Sequence, residues 1–273
     1  MINMGHGADD KWTITKDMVT DCNNIDIKDI EKALENNEFK IYYQPLVDSQ
    51  GTIIGVEALS RWFSPKYGNI PPNVFMPLLE QSNYIYQFQN MIFELACIQI
   101  QHLNKATNSN IKLSVNISPI QFKNDNFKND IKNIINNNNI NTNCIAIEIT
   151  ESYPINEIED IIIKLDEIRK MDIKIYLDDF GTGYNTIKYL SDFKFDIVKI
   201  DKSFIDKINE NPDFISSLIK MIHSVGSKVV SEGIEKKEQA ELLKNMSCDI
   251  MQGYFFYKPL NFNQLLLIMT NNI

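Results

Sequence analysis

Eight polar side chains stand out because each closes a short apolar run: Glu57, Asn116, Glu148, Asp178 with Asp179, Lys199, Glu232 and Gln252. Carboxylates joined by an amide oxygen are hard ligands, suited to Mg²⁺ or Mn²⁺ rather than to soft metals. Adjacent Asp178 and Asp179 could bridge two such ions. Acids crowded this closely repel one another unless cations neutralise them, so their pKa values should rise in the metal-free protein. A pair of ions ~3.5–4 Å apart can bind a phosphodiester and activate water for in-line displacement. Lys199 adds a compact positive charge and Arg61 a planar fork that matches phosphate. The chemistry implied is phosphodiester hydrolysis.

Other site chemistries find no support. His6, His102 and His223 are scattered, there is no HExxH or GxSxG, and Gly181-Thr182-Gly183 lacks the third glycine of a dinucleotide fingerprint. Cys22, Cys97, Cys144 and Cys248 contain no CxxC and read as free thiols.

The elements that must position these residues emerge from periodicity. Strands are expected at 39–47 and 52–61, joined by the short loop Asp48-Ser49-Gln50-Gly51, which forces an antiparallel hairpin. Further strands are expected at 111–116, 144–149, 173–178, 195–200, 228–231 and 248–251, with helical patterns between them at 75–81, 88–103, 158–169, 214–223 and 237–244. Strands alternating with helices mean βα units, and eight strands over ~240 residues mean a (β/α)₈ barrel with one antiparallel strand supplied by the N-terminal hairpin. From Glu57 the polar strand ends are separated by 59, 32, 30, 21, 33 and 20 residues. After the first gap that is about one βα unit, so a barrel would gather all of them on its C-terminal face.

The chain has 273 residues and a formal net charge of −9, with 44% apolar residues. The negative balance excludes a DNA or RNA groove binder that works through bulk charge. No apolar run approaches the ~20 residues of a membrane span, and no secretory signal opens the chain, so a cytoplasmic protein is expected. Residues 1–27 read as a flexible tail or linker, and 28–273 as a single domain. The Asn run 136–139 reads as a loop that ends a helical stretch.

Eight ordered motifs carry a resemblance to a known family. They are Tyr43-Gln44-Pro45, Glu57-Ala58-Leu59-Ser60-Arg61, Val115-Asn116-Ile117-Ser118-Pro119, Glu148-Ile149-Thr150-Glu151, Asp178-Asp179-Phe180-Gly181-Thr182-Gly183-Tyr184, Lys199-Ile200-Asp201, Ser231-Glu232-Gly233 and Gln252-Gly253-Tyr254. In this order they resemble EAL-domain proteins over about residues 28–270. The resemblance implies a modified TIM barrel with one antiparallel strand and Mg²⁺- or Mn²⁺-dependent hydrolysis of cyclic di-GMP to linear pGpG, with two ions per site. It implies metal ligation by Glu57, Asn116, Glu148, Asp178 and Asp179, with Glu232 and Gln252 beside them. Lys199 would hold the nucleophilic water, Glu232 would be the general base, and Gln44, Leu59, Arg61 and Gln252 would meet the substrate. Glu151 resembles a glutamate that braces the loop from Phe180 to Thr186. A homodimer and an N-terminal GGDEF or sensory domain are further implied. Ser60, and Asn185-Thr186, depart from the usual family residues, although no metal-site acid is missing. The alternative is a cyclic di-GMP receptor that binds without hydrolysis.

Overall fold

The computed structural model describes residues 25–150, 158–182 and 190–271. Strands β1 (Phe39–Asp48) and β2 (Ile53–Ser64) form the expected hairpin, antiparallel from Phe39↔Trp62 to Leu46↔Gly55. The Asp48 carboxylate accepts the backbone N–H groups of Gln50 (2.8 Å) and Thr52 (3.0 Å), and Gly51 takes a φ of +84° to complete the turn.

Strand β3 (Gly68–Ile70) pairs only with the far end of β2. Strands β4 (Lys112–Asn116), β5 (Ile145–Thr150), β6 (Lys174–Phe180), β7 (Ile197–Ile200), β8 (Lys228–Ser231) and β9 (Ile250–Met251) then run parallel to β2, each beside the next. Antiparallel pairing of β9 with β1 closes the barrel. Within the barrel the strand that runs against the others is therefore β1, as the hairpin required.

The helices are α1 (Ile27–Glu35), α2 (Pro72–Glu80), α3 (Tyr84–Thr107), α4 (Phe127–Asn138), α5 (Ile158–Arg169), α6 (Lys202–Ile205), α7 (Pro212–Ser224), α8 (Lys237–Asn245) and α9 (Phe262–Asn271). Asp26 caps α1, accepting from the Lys28 and Asp29 N–H groups. Helix α4 runs through Asn138 and ends at left-handed Asn139, so the first three residues of the Asn run, expected as a loop, belong to the helix. An aromatic cluster of Phe39, Trp62, Phe75 and Phe88, with Phe39–Phe88 centroids 4.9 Å apart, binds α2 and α3 to the hairpin.

Three differences from the sequence reading matter. Glu57 lies inside β2, not at its end, because β2 continues for seven residues beyond it, paired with β1 on one side and β3 near its tip. Strand β3 and helix α9 were not anticipated. Among the described residues Cys97, Cys144 and Cys248 are free and buried, as expected, and no helix is long and apolar enough to cross a membrane.

Candidate metal and phosphodiester site

The barrel interior is built in layers. Leu46, Ala146, Tyr176, Ile197, Val230 and Ile250 form an apolar plug. Side chains two residues apart share a face of a strand, so each plug residue on a parallel strand fixes the direction of the side chain two positions further on. Those positions are Glu148 after Ala146, Asp178 after Tyr176, Lys199 after Ile197, Glu232 after Val230 and Gln252 after Ile250. On antiparallel β1 the order reverses, and Gln44 precedes Leu46, opposite Glu57 in register. A polar layer thus rests on the apolar one, at the C-terminal mouth where barrel enzymes place their chemistry.

Lys199 is the hub of that layer. Its Nζ, 1% exposed, lies 2.7 Å from Glu232 Oε1, 2.8 Å from Glu148 Oε2, 2.9 Å from Asp178 Oδ1 and 3.2 Å from Glu57 Oε2. An ammonium has three N–H donors and cannot satisfy four carboxylates. It donates well-aligned hydrogen bonds to Glu57 and Glu148 and meets Asp178 and Glu232 as ion pairs. Glu57 is further held by Asn116 Nδ2 (2.7 Å to Oε1) and Gln252 Nε2 (2.8 Å to Oε2). Glu148 Oε1 and Gln252 Oε1 are buried and accept no hydrogen bond, and Asp178 Oδ1 meets only the Lys199 ammonium. Two orphaned hard oxygen atoms beside the crowded carboxylates of one buried layer are what a divalent cation would satisfy.

Two carboxylate triads share Asp178. Oxygen atoms of Glu57, Glu148 and Asp178 lie within 4.8 Å of one another, and so do those of Asp178, Asp179 and Glu232. Consecutive strand residues normally point to opposite faces, which would send Asp179 away from the site. A β-bulge prevents this. Leu177 pairs with Val198 and Phe180 with Ile200, so β6 spends one more residue than β7 over the same span, and Asp179 takes a left-handed φ of +53°. Gly181 comes next but one at φ +99°, packed so close to Phe204 that a Cβ there would fall 2.4 Å from its ring.

The charges shift as a crowded cluster should. Burial, with the neighbouring Glu57 charge next, holds Glu148 well above the usual carboxylate range. Burial likewise raises Asp178, pushes Asp179 up to about 6 with help from Asp178, and pushes Glu232 up to about 8 against the pull of Lys199. Glu57 goes the other way: burial alone would raise it, but Lys199 and the two amide donors hold it below its ordinary value. Burial opposes the Lys199 charge, yet the surrounding acids raise its pKa well above normal.

Beyond Glu57, alternation along β2 places Leu59 and Arg61 on the same face toward the rim, both half-buried. Arg61 donates to the Ser60 carbonyl (2.8 Å) and its guanidinium lies 5.9 Å from the Tyr42 ring. A cavity of about 290 Å³ adjoins the carboxylates, lined by Gln44, Glu57, Glu232, Gln252, Lys202 and Tyr254 among others. Lys202 and exposed Tyr254 were not singled out as site residues; the only sequence signal was their adjacency to Lys199-Ile200-Asp201 and Gln252-Gly253. The structure brings together Glu57, Asn116, Glu148, Asp178, Asp179, Lys199, Glu232 and Gln252. Glu151 lies outside the described residues, as does the part of the loop from Phe180 to Thr186 that comes after Thr182.

The sequence profile of the EAL domain matches residues 27–259. The oxygen sensor protein DosP of Escherichia coli is 33% identical over 85% of this chain and 29% of its own length. The cyclic di-GMP phosphodiesterase PdeL of the same organism is 32% identical over 87% of this chain and 67% of its own. The solved structure of the phosphodiesterase MucR of Pseudomonas aeruginosa, in complex with cyclic di-GMP, superposes with a TM-score of 0.82 at 30% identity, covering 88% of this chain and 98% of that one. The chain spans about a third of the length of the first curated relatives it matches (29%, 36% and 34%).

Proposed function

Because this chain belongs to the EAL domain family, we propose that it is a metal-dependent phosphodiesterase that hydrolyses cyclic di-GMP to linear pGpG. The observation that carries the reading is Asp178 standing in two carboxylate triads at once, with buried oxygens left unpartnered. Glu57, Asn116, Glu148, Asp178 and Asp179, with Glu232 and Gln252 beside them, would hold two Mg²⁺ or Mn²⁺ ions. Bound ions of this kind polarise a phosphodiester and lower the pKa of water to near neutrality.

The residues of the chain do the rest. Arg61 pairs with a phosphate of the substrate, and Gln44, Leu59 and Gln252 set its position against the carboxylate layer. Lys199 keeps its proton throughout and offers its ammonium to the attacking water and to the charge that develops on phosphorus. Glu232 Oε1, 2.7 Å from Lys199 Nζ, is placed to take the water proton in its ionised form, which bound cations would favour over the protonated form that burial favours in the metal-free site. The water oxygen bonds to phosphorus as the bond from phosphorus to the ribose 3′-oxygen breaks, that oxygen takes a proton from solvent water, and the ring opens to a dinucleotide with a 5′-phosphate and a free 3′-hydroxyl.

Residues 28–273 form the catalytic unit on this reading. The enzyme acts in the cytoplasm as a homodimer, with a GGDEF or sensory domain on its N-terminal side; the multidomain length of the relatives supports that arrangement. Glu151 braces the loop after Phe180. Product identification by ion-exchange chromatography tests the central claim: pGpG appearing with added Mn²⁺ or Mg²⁺ supports it, whereas tight binding of intact cyclic di-GMP would mark a receptor.

A further inference from the structure

A second cavity lies at the other end of the barrel. About 820 Å³ opens at the N-terminal mouth, beneath the apolar plug, and shares no side chain with the carboxylate layer. Leu46, Ile54, Ile197 and Ile250 form aliphatic walls, and Tyr176 contributes from the plug itself. The Tyr176 hydroxyl has no hydrogen-bond partner among the described residues.

Positive charge collects at this mouth in a chain whose net charge is −9. Lys112, Lys174, Lys194 and Lys228 line it against a single acid, Asp196. That acid is already engaged, with Oδ1 2.9 Å from Lys174 Nζ and Oδ2 accepting the Ile175 N–H at 3.0 Å. Lys112 donates to the Asn143 carbonyl (3.0 Å). Lys194 and Lys228 make no side-chain hydrogen bond or ion pair among the described residues. Both line the same mouth, and Lys194 Nζ reaches over the turn that leads into Lys228, where a Cβ on Gly226 would lie 3.6 Å from it.

We propose that this mouth binds an amphipathic anion, an alkyl chain ending in a single carboxylate or phosphate monoester. The chain lies along the aliphatic walls and the head group sits between Lys194 and Lys228. The volume is in the range of small-molecule sites, which are mostly apolar with a few placed polar groups. The aliphatic lining favours a flexible chain over a stacked ring. Two free ammonium groups beside an engaged aspartate leave the mouth with charge complementary to one anionic head.

Calorimetric titration of the full chain with myristate, monotetradecyl phosphate and neutral tetradecanol, with native mass spectrometry for stoichiometry, tests this. One myristate or one tetradecyl phosphate should bind per chain, and the tighter of the two identifies the head group. Tetradecanol should bind at least about tenfold more weakly, and Lys194→Gln/Lys228→Gln should weaken anion binding by about tenfold or more. Ile54→Trp, which puts an indole into the aliphatic wall and narrows the chain's path, should weaken it by about tenfold or more. Both lysines are exposed, so their replacement leaves folding intact. The proposal is overturned by absence of saturable one-to-one binding, by equal affinity for tetradecanol, or by binding that survives both the lysine pair and Ile54→Trp.

Discussion

Lys199 Nζ donates a 2.8 Å hydrogen bond to Glu148 Oε2 at a point where the two side chains are 1% and 0% exposed. A buried ammonium is costly on its own, and here it offsets four acids that would otherwise repel one another. Lys199→Met should therefore raise affinity for Mn²⁺, because a competing cation leaves the cluster. Turnover should nevertheless fall by about 10²–10⁴, because no charge remains to orient water or meet the developing phosphorane. Isothermal titration with Mn²⁺ and steady-state kinetics check the two halves separately. Weaker metal binding in the variant would contradict the placement of Lys199.

The raised carboxylates make a pH prediction with a definite sign. Glu232 is raised from 4.5 to about 8 and Asp179 from 3.8 to about 6, while Asp178 and Glu148 are also raised. Folding then favours their protonated forms, so the stability they contribute is fully present below about pH 4 and is lost as pH rises through 6 toward 8. In chelator the melting temperature should fall by about 3 °C or more between pH 5 and 8.5. Saturating Mn²⁺ should flatten the slope by stabilising the ionised forms. Scanning calorimetry that shows the same slope with and without metal would contradict this.

The bulge that aims Asp179 inward depends on Gly181. Gly181→Ala places a methyl group 2.4 Å from the Phe204 ring at a φ of +99°. Turnover should fall by about tenfold or more while the barrel melts within a few degrees of wild type. Phe204→Ala in the same chain should recover part of the loss, since the ring clash goes and the backbone strain stays. Full recovery, or no loss in the single variant, would show that the bulge does not set the aspartate.

Arg61 touches no carboxylate of the cluster within salt-bridge distance among the described residues, and its assigned work is substrate phosphate. Arg61→Ala should raise KM by about tenfold and change kcat by only a few-fold. A fall confined to kcat would place Arg61 in the chemical step.

Much of this site was legible because a parallel barrel strand repeats one simple rule, an apolar residue and, two positions later, a polar one. Ala146 and Glu148, or Ile197 and Lys199, read that way directly. Glu57 was misplaced at a strand end because nothing in its neighbourhood shows that β2 keeps pairing with β1 and β3 as far as Ser64. Asp178 and Asp179 were legible as adjacent acids, but their common orientation arises from a bulge with positive φ at a non-glycine residue, which no periodicity marks. The four-way contact of Lys199 joins residues from several strands, and contacts of that range are set only when the barrel closes.

Asp178 belongs to both triads, so its loss would take a carboxylate from both at once. The decisive measurement is the turnover of cyclic di-GMP by Asp178→Asn beside wild type, at saturating Mn²⁺ and with the fold verified by circular dichroism. Wild type should form pGpG only with metal, and the folded variant should lose several orders of magnitude of turnover, about 10³ or more. Turnover within tenfold of wild type would contradict a metal site centred on Asp178.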